Sequence, residues 1–127
     1  MVKLPYTTKE LIWLGDTKEA VSSFPVGAKR VLGFGLRQVQ NGETPAFAVP
    51  LSGLSSGVYE LKMDSGKNTF RTIYIAKLPF GVFVLHAFMK KSKTGRSIPN
   101  EIRKTIRTRL QQARQLATER RDEANKE

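Results

Sequence analysis

The sequence predicts an α+β fold: a small, mostly antiparallel sheet with two N-terminal helices and one C-terminal helix. Three observations carry that expectation. Residues 57–93 form three successive strand-like runs separated by turn residues. Residues 26–41 place Ala28, Val31, Leu32, Gly35, Leu36 and Val39 at helical spacing, and a second stripe runs through Ile98, Ile102, Ile106, Leu110, Ala113 and Ala117. At 127 residues with no internal repeat, the chain has the length of one domain with one modest core, spanning residues 1–127.

Taken in order, residues 1–9 read as a loosely held arm, and the apolar run Glu-Leu-Ile-Trp-Leu-Gly at 10–15 as a first strand. Asp16, with Glu19 three residues on, fits the start of a brief helix that ends near Phe24-Pro25, because proline disfavours helical geometry in the residue before it. Pro25 opens the next helix, where its missing N–H is no loss, and Asn41-Gly42 closes it. Gly33 and Gly35 each cost that helix about 1 kcal/mol relative to alanine, which suggests close packing against the sheet. Residues 42–56 are rich in Gly, Pro and Ser without periodicity, and read as a long substrate-facing loop or as a connector carrying Phe47 and Leu51 into the core.

In the first strand after that loop, Tyr59, Leu61 and Met63 alternate with Glu60 and Lys62. Residues 64–68 supply the turn. In the next strand Phe70, Thr72 and Tyr74 alternate with Arg71, Ile73 and Ile75. The third, from 82 to about 89, is apolar on both faces, as expected of a strand covered on both sides. The last helix is expected from residue 97 or 98 to about 118, with Ser97 as N-cap, Pro99 in the first turn, and Arg103, Lys104, Arg107 and Arg114 opposite the apolar stripe. The charged tail 119–127 is expected to fray.

The composition narrows the function. Lys and Arg number 22 against 11 acids, a net charge of +11, which favours a polyanion or an acidic protein as partner. Absence of cysteine removes disulfides, zinc-thiolate sites and thiol nucleophiles, and the single histidine leaves no His-rich metal site, so no cofactor is expected. No signal pattern or membrane-spanning run is present, and a cytoplasmic location is the default expectation.

Cleaving RNA without a metal requires three things: a base for the ribose 2′-OH, stabilisation of the phosphate in flight, and a proton for the departing 5′ oxygen. Arginine suits the second task, since its fork pairs with phosphate oxygens and stays charged, and lysine can serve as base or acid in the right surroundings. Lys62, Arg71, Lys90 and Lys91 are therefore a sufficient set for a nuclease, and equally what any phosphate-binding surface contains. Arg71 also fits a salt bridge with Glu60 or Asp64, and strand-end lysines such as Lys90 and Lys91 also discourage edge pairing. His86 reads as a hydrogen-bonded core histidine and Trp13 as core packing.

In series, Ile12-Trp13-Leu14-Gly15-Asp16, Phe24-Pro25, the helix end Leu36-Arg37-Gln38-Val39-Gln40-Asn41-Gly42, Gly57-Val58-Tyr59-Glu60-Leu61-Lys62, Phe70-Arg71, Tyr74-Ile75-Ala76 and Val84-Leu85-His86-Ala87-Phe88-Met89-Lys90-Lys91 resemble the phage-derived, HigB-like branch of the RelE toxin superfamily. The resemblance covers roughly residues 10–110. It implies a RelE-like fold and the toxin of a type II toxin–antitoxin system: a metal-independent endoribonuclease that cleaves mRNA in the ribosomal A site and is inhibited by a helix-turn-helix antitoxin. By position it implies catalytic roles for Lys62 (base), Arg71 (phosphate stabilisation), and Lys90 and Lys91 (proton donation or phosphate binding). Arg103, Lys104 and Arg107 are the expected RNA contacts of the last helix. Val49 stands where relatives often carry a basic residue, and no tyrosine follows Tyr74, which leaves no C-terminal tyrosine acid. The alternative from another class is a non-enzymatic RNA- or ribosome-binding module with a degenerate toxin fold.

Overall fold

The computed structural model describes residues 8–91 and 98–126. In chain order it contains β1 (Leu11–Trp13), α1 (Thr17–Ser22), α2 (Val26–Gln40), β2 (Ala48–Pro50), β3 (Val58–Ser65), β4 (Asn68–Ile75), β5 (Val82–Lys90) and α3 (Asn100–Asn125). The five strands form one mixed sheet in the order β1-β5-β4-β3-β2, in which β1 runs parallel to β5 and the other neighbours are antiparallel.

The expectation of two N-terminal helices needs one correction. Strand β1, expected from the run at 10–15, precedes them, so α1 and α2 are not an N-terminal pair but the crossover between the two edge strands, β1 and β2. The helices also divide between the two faces of the sheet. Val21, Phe24, Ala28, Leu32, Leu36 and Val39 of the α1–α2 region pack with Leu61, Phe70, Tyr74, Val82, Val84 and Ala87 on one face. Ile106, Leu110, Ala113 and Ala117 of α3 pack with Val58, Ile73, Ile75, Phe83 and Leu85 on the other. Each fully buried Leu, Ile or Phe among them contributes about 1.5–3 kcal/mol.

The local signals act as their chemistry dictates. Gly66 turns β3 into β4 at φ 61°, followed by Lys67 with ordinary φ, the pattern of a two-residue type II′ hairpin. Strand β5 sits between β1 and β4 and is buried on both faces along Val82–Leu85, as its double-sided apolar sequence requires. The aperiodic stretch 42–56 contains β2, a three-residue edge strand ended by Pro50, which cannot donate to a further ladder.

Two helix ends differ from expectation. Asp16 occupies the N-cap position of α1 but makes no side-chain capping bond; its carboxylate is taken up by Arg109 instead. Helix α3 continues past residue 118 to Asn125, and Arg120 reaches back to Glu10 at 2.6 Å. The expected Ser97 cap lies outside the described residues, and Pro99 occupies the N-cap position of α3.

The two glycines of α2 separate cleanly. A Cβ on Gly35 would stand 2.8 Å from the Phe47 ring and 3.2 Å from Leu61, whereas one on Gly33 would meet nothing within 4 Å. Gly33→Ala should therefore raise unfolding stability by up to about 1 kcal/mol. Gly35→Ala should lower it despite the same gain in helix propensity, and urea denaturation of the two variants side by side measures the difference.

Candidate nucleic-acid interface

The registers of β3, β4 and β5 set the side chains of one sheet face in three rows. Glu60, Ile73 and His86 form the first; Lys62, Arg71 and Phe88 the second; Asp64, Thr69 and Lys90 the third. Residues directly opposite in an antiparallel pair share a face, so nine side chains from three strands stand together on the side that α3 covers. Lys62, Arg71 and Lys90 are thus brought onto one surface. Lys91 is exposed just beyond the end of β5.

A bulge makes this grouping possible. Ile73 pairs with His86 but Tyr74 pairs with Val84, so Leu85 is an extra residue in β5. Strict alternation from Phe83, which packs against α3, would send His86, Phe88 and Lys90 to the α2 face. The added residue shifts the alternation, and Leu85 and His86 both face α3. Arg109 of α3 fastens the bulge. Its Nη1 donates to the Leu85 carbonyl at 3.1 Å and lies 3.1 Å from His86 Nδ1, while Nη2 meets Asp16 Oδ1 at 3.3 Å. Gly15, at φ 58°, leaves room for it: a Cβ there would stand 2.5 Å from the guanidinium.

The four sequence-predicted catalytic residues differ in access. Lys62 is exposed, whereas Arg71 is only 5% exposed and its Nη1 binds Glu60 Oε2 at 3.0 Å. This is the Glu60 salt bridge that the sequence allowed as an alternative, and it ties β3 to β4 diagonally across the rows. Arg71 Nε is buried without a hydrogen-bond partner among the described residues. Asp64 is not paired with Arg71; it accepts the Thr69 hydroxyl at 3.0 Å. Lys90 is half-buried.

On α3, Lys104 and Arg107 are exposed. Arg103 is partly committed within the fold: its Nη1 donates to the Ser52 carbonyl at 3.1 Å, and Arg114 reaches Ser55 Oγ at 2.6 Å. These two arginines, with Lys77 donating to Ser56 Oγ at 2.9 Å, hold the segment between β2 and β3. Residues 102–118 contain five basic side chains and no acid, so the N-terminal two-thirds of α3 add positive charge above the sheet face.

Two titrating groups are displaced. Burial, helped by the Arg109 charge and opposed by Asp16, holds the His86 imidazole below its ordinary 6.5. Burial beside Tyr59 pushes the Tyr74 hydroxyl up to about 12, and Tyr74 packs on the α2 face, away from the cationic rows. No group of three or more potential metal-ligating side chains occurs among the described residues, and no helix there is long and apolar enough to cross a membrane.

Sequence reasoning missed Arg109 as a site residue. Its only sequence signal is its place on the flank of the α3 stripe, between Ile106 and Leu110; what it touches depends on a bulge and a glycine remote in the chain.

Residues 19–118 match the family described as phage derived protein Gp49-like (DUF891). No curated protein and no solved structure matches the chain.

Removing Arg71 alone leaves Glu60 buried without a partner, and Arg71→Ala should cost about 3–5 kcal/mol in unfolding stability. Replacing both, as Glu60→Leu with Arg71→Met, should recover most of that loss in the same urea titration. A separate expectation concerns pH. The folded state takes up the His86 proton less readily than the unfolded chain, so the unfolded state binds more protons below pH 6.5. The stability tied to the neutral ring is complete above that pH and is lost as pH falls toward the lower folded value. Denaturation midpoints at about pH 7.5 and 5.5 should drop more in the wild type than in His86→Gln.

Proposed function

The chain belongs to the Gp49-like family of phage-derived proteins, and from there we propose that it is the toxin of a type II toxin–antitoxin pair. In this reading it is a RelE-like, metal-independent endoribonuclease that cleaves mRNA in the ribosomal A site, and a helix-turn-helix antitoxin restrains it. The single observation that supports it most is the placement of Lys62, Arg71 and Lys90 from three different strands on one sheet face. Glu60 and Asp64 stand in the same rows and Glu60 is paired with Arg71, so the positive charge offered to an anion there is chiefly that of Lys62, with Lys90 at the end of β5.

Within the proposal, Lys62 is the exposed group that meets the ribose and phosphate and serves as base. Arg71, the buried cross-strand partner of Lys62 on β4, stabilises the developing phosphate charge while Glu60 fixes its guanidinium. Lys90 and Lys91 bind phosphate or protonate the leaving oxygen at the open end of β5. Lys104 and Arg107 on α3 contact the RNA backbone or ribosomal RNA, with Arg103 contributing whatever its bond to Ser52 leaves available.

One observation favours the second reading, a non-enzymatic RNA- or ribosome-binding module. Arg71, the strongest candidate for transition-state stabilisation, is buried and ion-paired. The two readings part on rate. Mapping of 5′ ends on a defined mRNA, with and without programmed ribosomes, should reveal ribosome-dependent cuts at A-site codons. Lys62→Ala should slow single-turnover cleavage about 10²-fold or more without comparable loss of ribosome affinity. Absence of cuts from folded, antitoxin-free protein that still binds ribosomes would leave the binding module. Charge reversal at Lys104 and Arg107 should weaken ribosome binding under either reading and flatten its salt dependence by about one unit of slope per lost phosphate contact.

A further inference from the structure

We propose, resting on the endoribonuclease reading above, that His86 touches the RNA in this site: its Nε2–H donates a hydrogen bond to a phosphate oxygen, and Arg109 is the positioning residue that fixes it in that role. A guanidinium carries only donors. With Arg109 Nη1 3.1 Å from His86 Nδ1, that nitrogen accepts, and the one proton of the neutral ring resides on Nε2. The same Nη1 holds the Leu85 carbonyl, so ring and bulge are oriented by one group. The imidazole also stacks on Phe88, with centroids 5.4 Å apart and planes 27° apart.

The bulge places this ring on the cationic face, in register with Ile73 and diagonal to Arg71. Diagonal neighbours on a sheet lie about 7–8 Å apart at the backbone, within reach of one phosphate group held between two side chains. The charged groups acting on the ring are Arg109 from α3 and Asp16 from the turn before α1, while Arg71 stands diagonally on β4 and Glu60 lies one strand further, on β3, with Ile73 between it and the ring. Burial and Arg109 keep the ring neutral near pH 7. A neutral ring already donating through Nε2, with Nδ1 occupied, is a poor proton shuttle. It is a fixed, uncharged donor near two ion pairs, Arg109–Asp16 and Arg71–Glu60, and the proton transfers stay with the lysines.

His86 is the only histidine, so its ring nitrogens report alone in a protein labelled with ¹⁵N-histidine. The expected spectrum at pH 7 is a single Nε2–H tautomer, with the Nε2–H signal shifting on addition of a non-cleavable 2′-O-methyl RNA oligonucleotide. An Nδ1–H or mixed tautomer, or no shift at saturating oligonucleotide, overturns the inference. The kinetic arm compares variants first shown to be folded by circular dichroism. His86→Gln, whose amide can still donate, should keep single-turnover cleavage within roughly threefold of wild type, and His86→Ala should lose about 10- to 100-fold. The rate–pH profiles of wild type and His86→Gln should coincide. Equal activity of the alanine variant, or a glutamine variant as impaired as alanine, overturns the inference while leaving the nuclease. A wild type that cuts nothing, yet whose Nε2–H shifts with the oligonucleotide, removes the nuclease reading and leaves the phosphate donor.

Discussion

The site depends on one extra residue in the central strand. Without the bulge at Leu85, the second half of β5 would present His86, Phe88 and Lys90 to α2, and the three-strand cationic face would lack one strand. A bulge disrupts the ladder locally, and its backbone groups need other partners. Arg109 meets part of that need by donating to the Leu85 carbonyl. The same guanidinium draws in Asp16 from the far side, so α3, β5 and the turn after β1 converge on a single side chain. Gly15 fits because a Cβ there would collide with it.

The two faces of the sheet have different work. On the α2 side, the packing is apolar and aromatic, with Phe24 against Phe70 at 5.0 Å and Tyr59 against Tyr74 at 5.9 Å. On the α3 side the apolar core gives way, row by row along β3, β4 and β5, to charged residues. The Glu60–Arg71 pair marks the boundary. Two charges so thoroughly removed from water add little net stability, since desolvation offsets most of their attraction, but either alone would be strongly unfavourable. The pair is better understood as fixing the arginine charge between the rows, on the strand next to exposed Lys62, than as holding the sheet together.

Charge on α3 follows the same division of labour. Basic residues in the first turns of a helix oppose its dipole and destabilise it modestly. Helix α3 tolerates Arg103, Lys104 and Arg107 there because Ile106, Leu110, Ala113 and Ala117 anchor it to the sheet, and because Arg103 and Arg114 bond to the segment ahead of β3. The family match to phage-derived Gp49-like proteins spans most of this architecture, from α1 through the middle of α3.

The sequence by itself determined the longer elements, though neither β2 nor the end of α3, and the cationic set. Helical periodicity marked α2 and α3, period-two alternation marked β3 and β4, the double-sided apolar run identified β5 as a central strand, and the strands displayed Lys62, Arg71 and Lys90. These are local or compositional signals, written into spacings of two to four residues. Tertiary structure decided which of those residues share a surface and which are sequestered. The bulge that turns His86 toward α3 leaves no mark in the apolar run Val84-Leu85-His86-Ala87, because its position is set by strand pairing with β4. Arg71's burial depends on Glu60, eleven residues earlier, and Arg109's role depends on partners 23 to 93 residues away in sequence. Spacing along a chain reports which face of its own element a side chain occupies; what lies opposite that face is decided only when the elements pack.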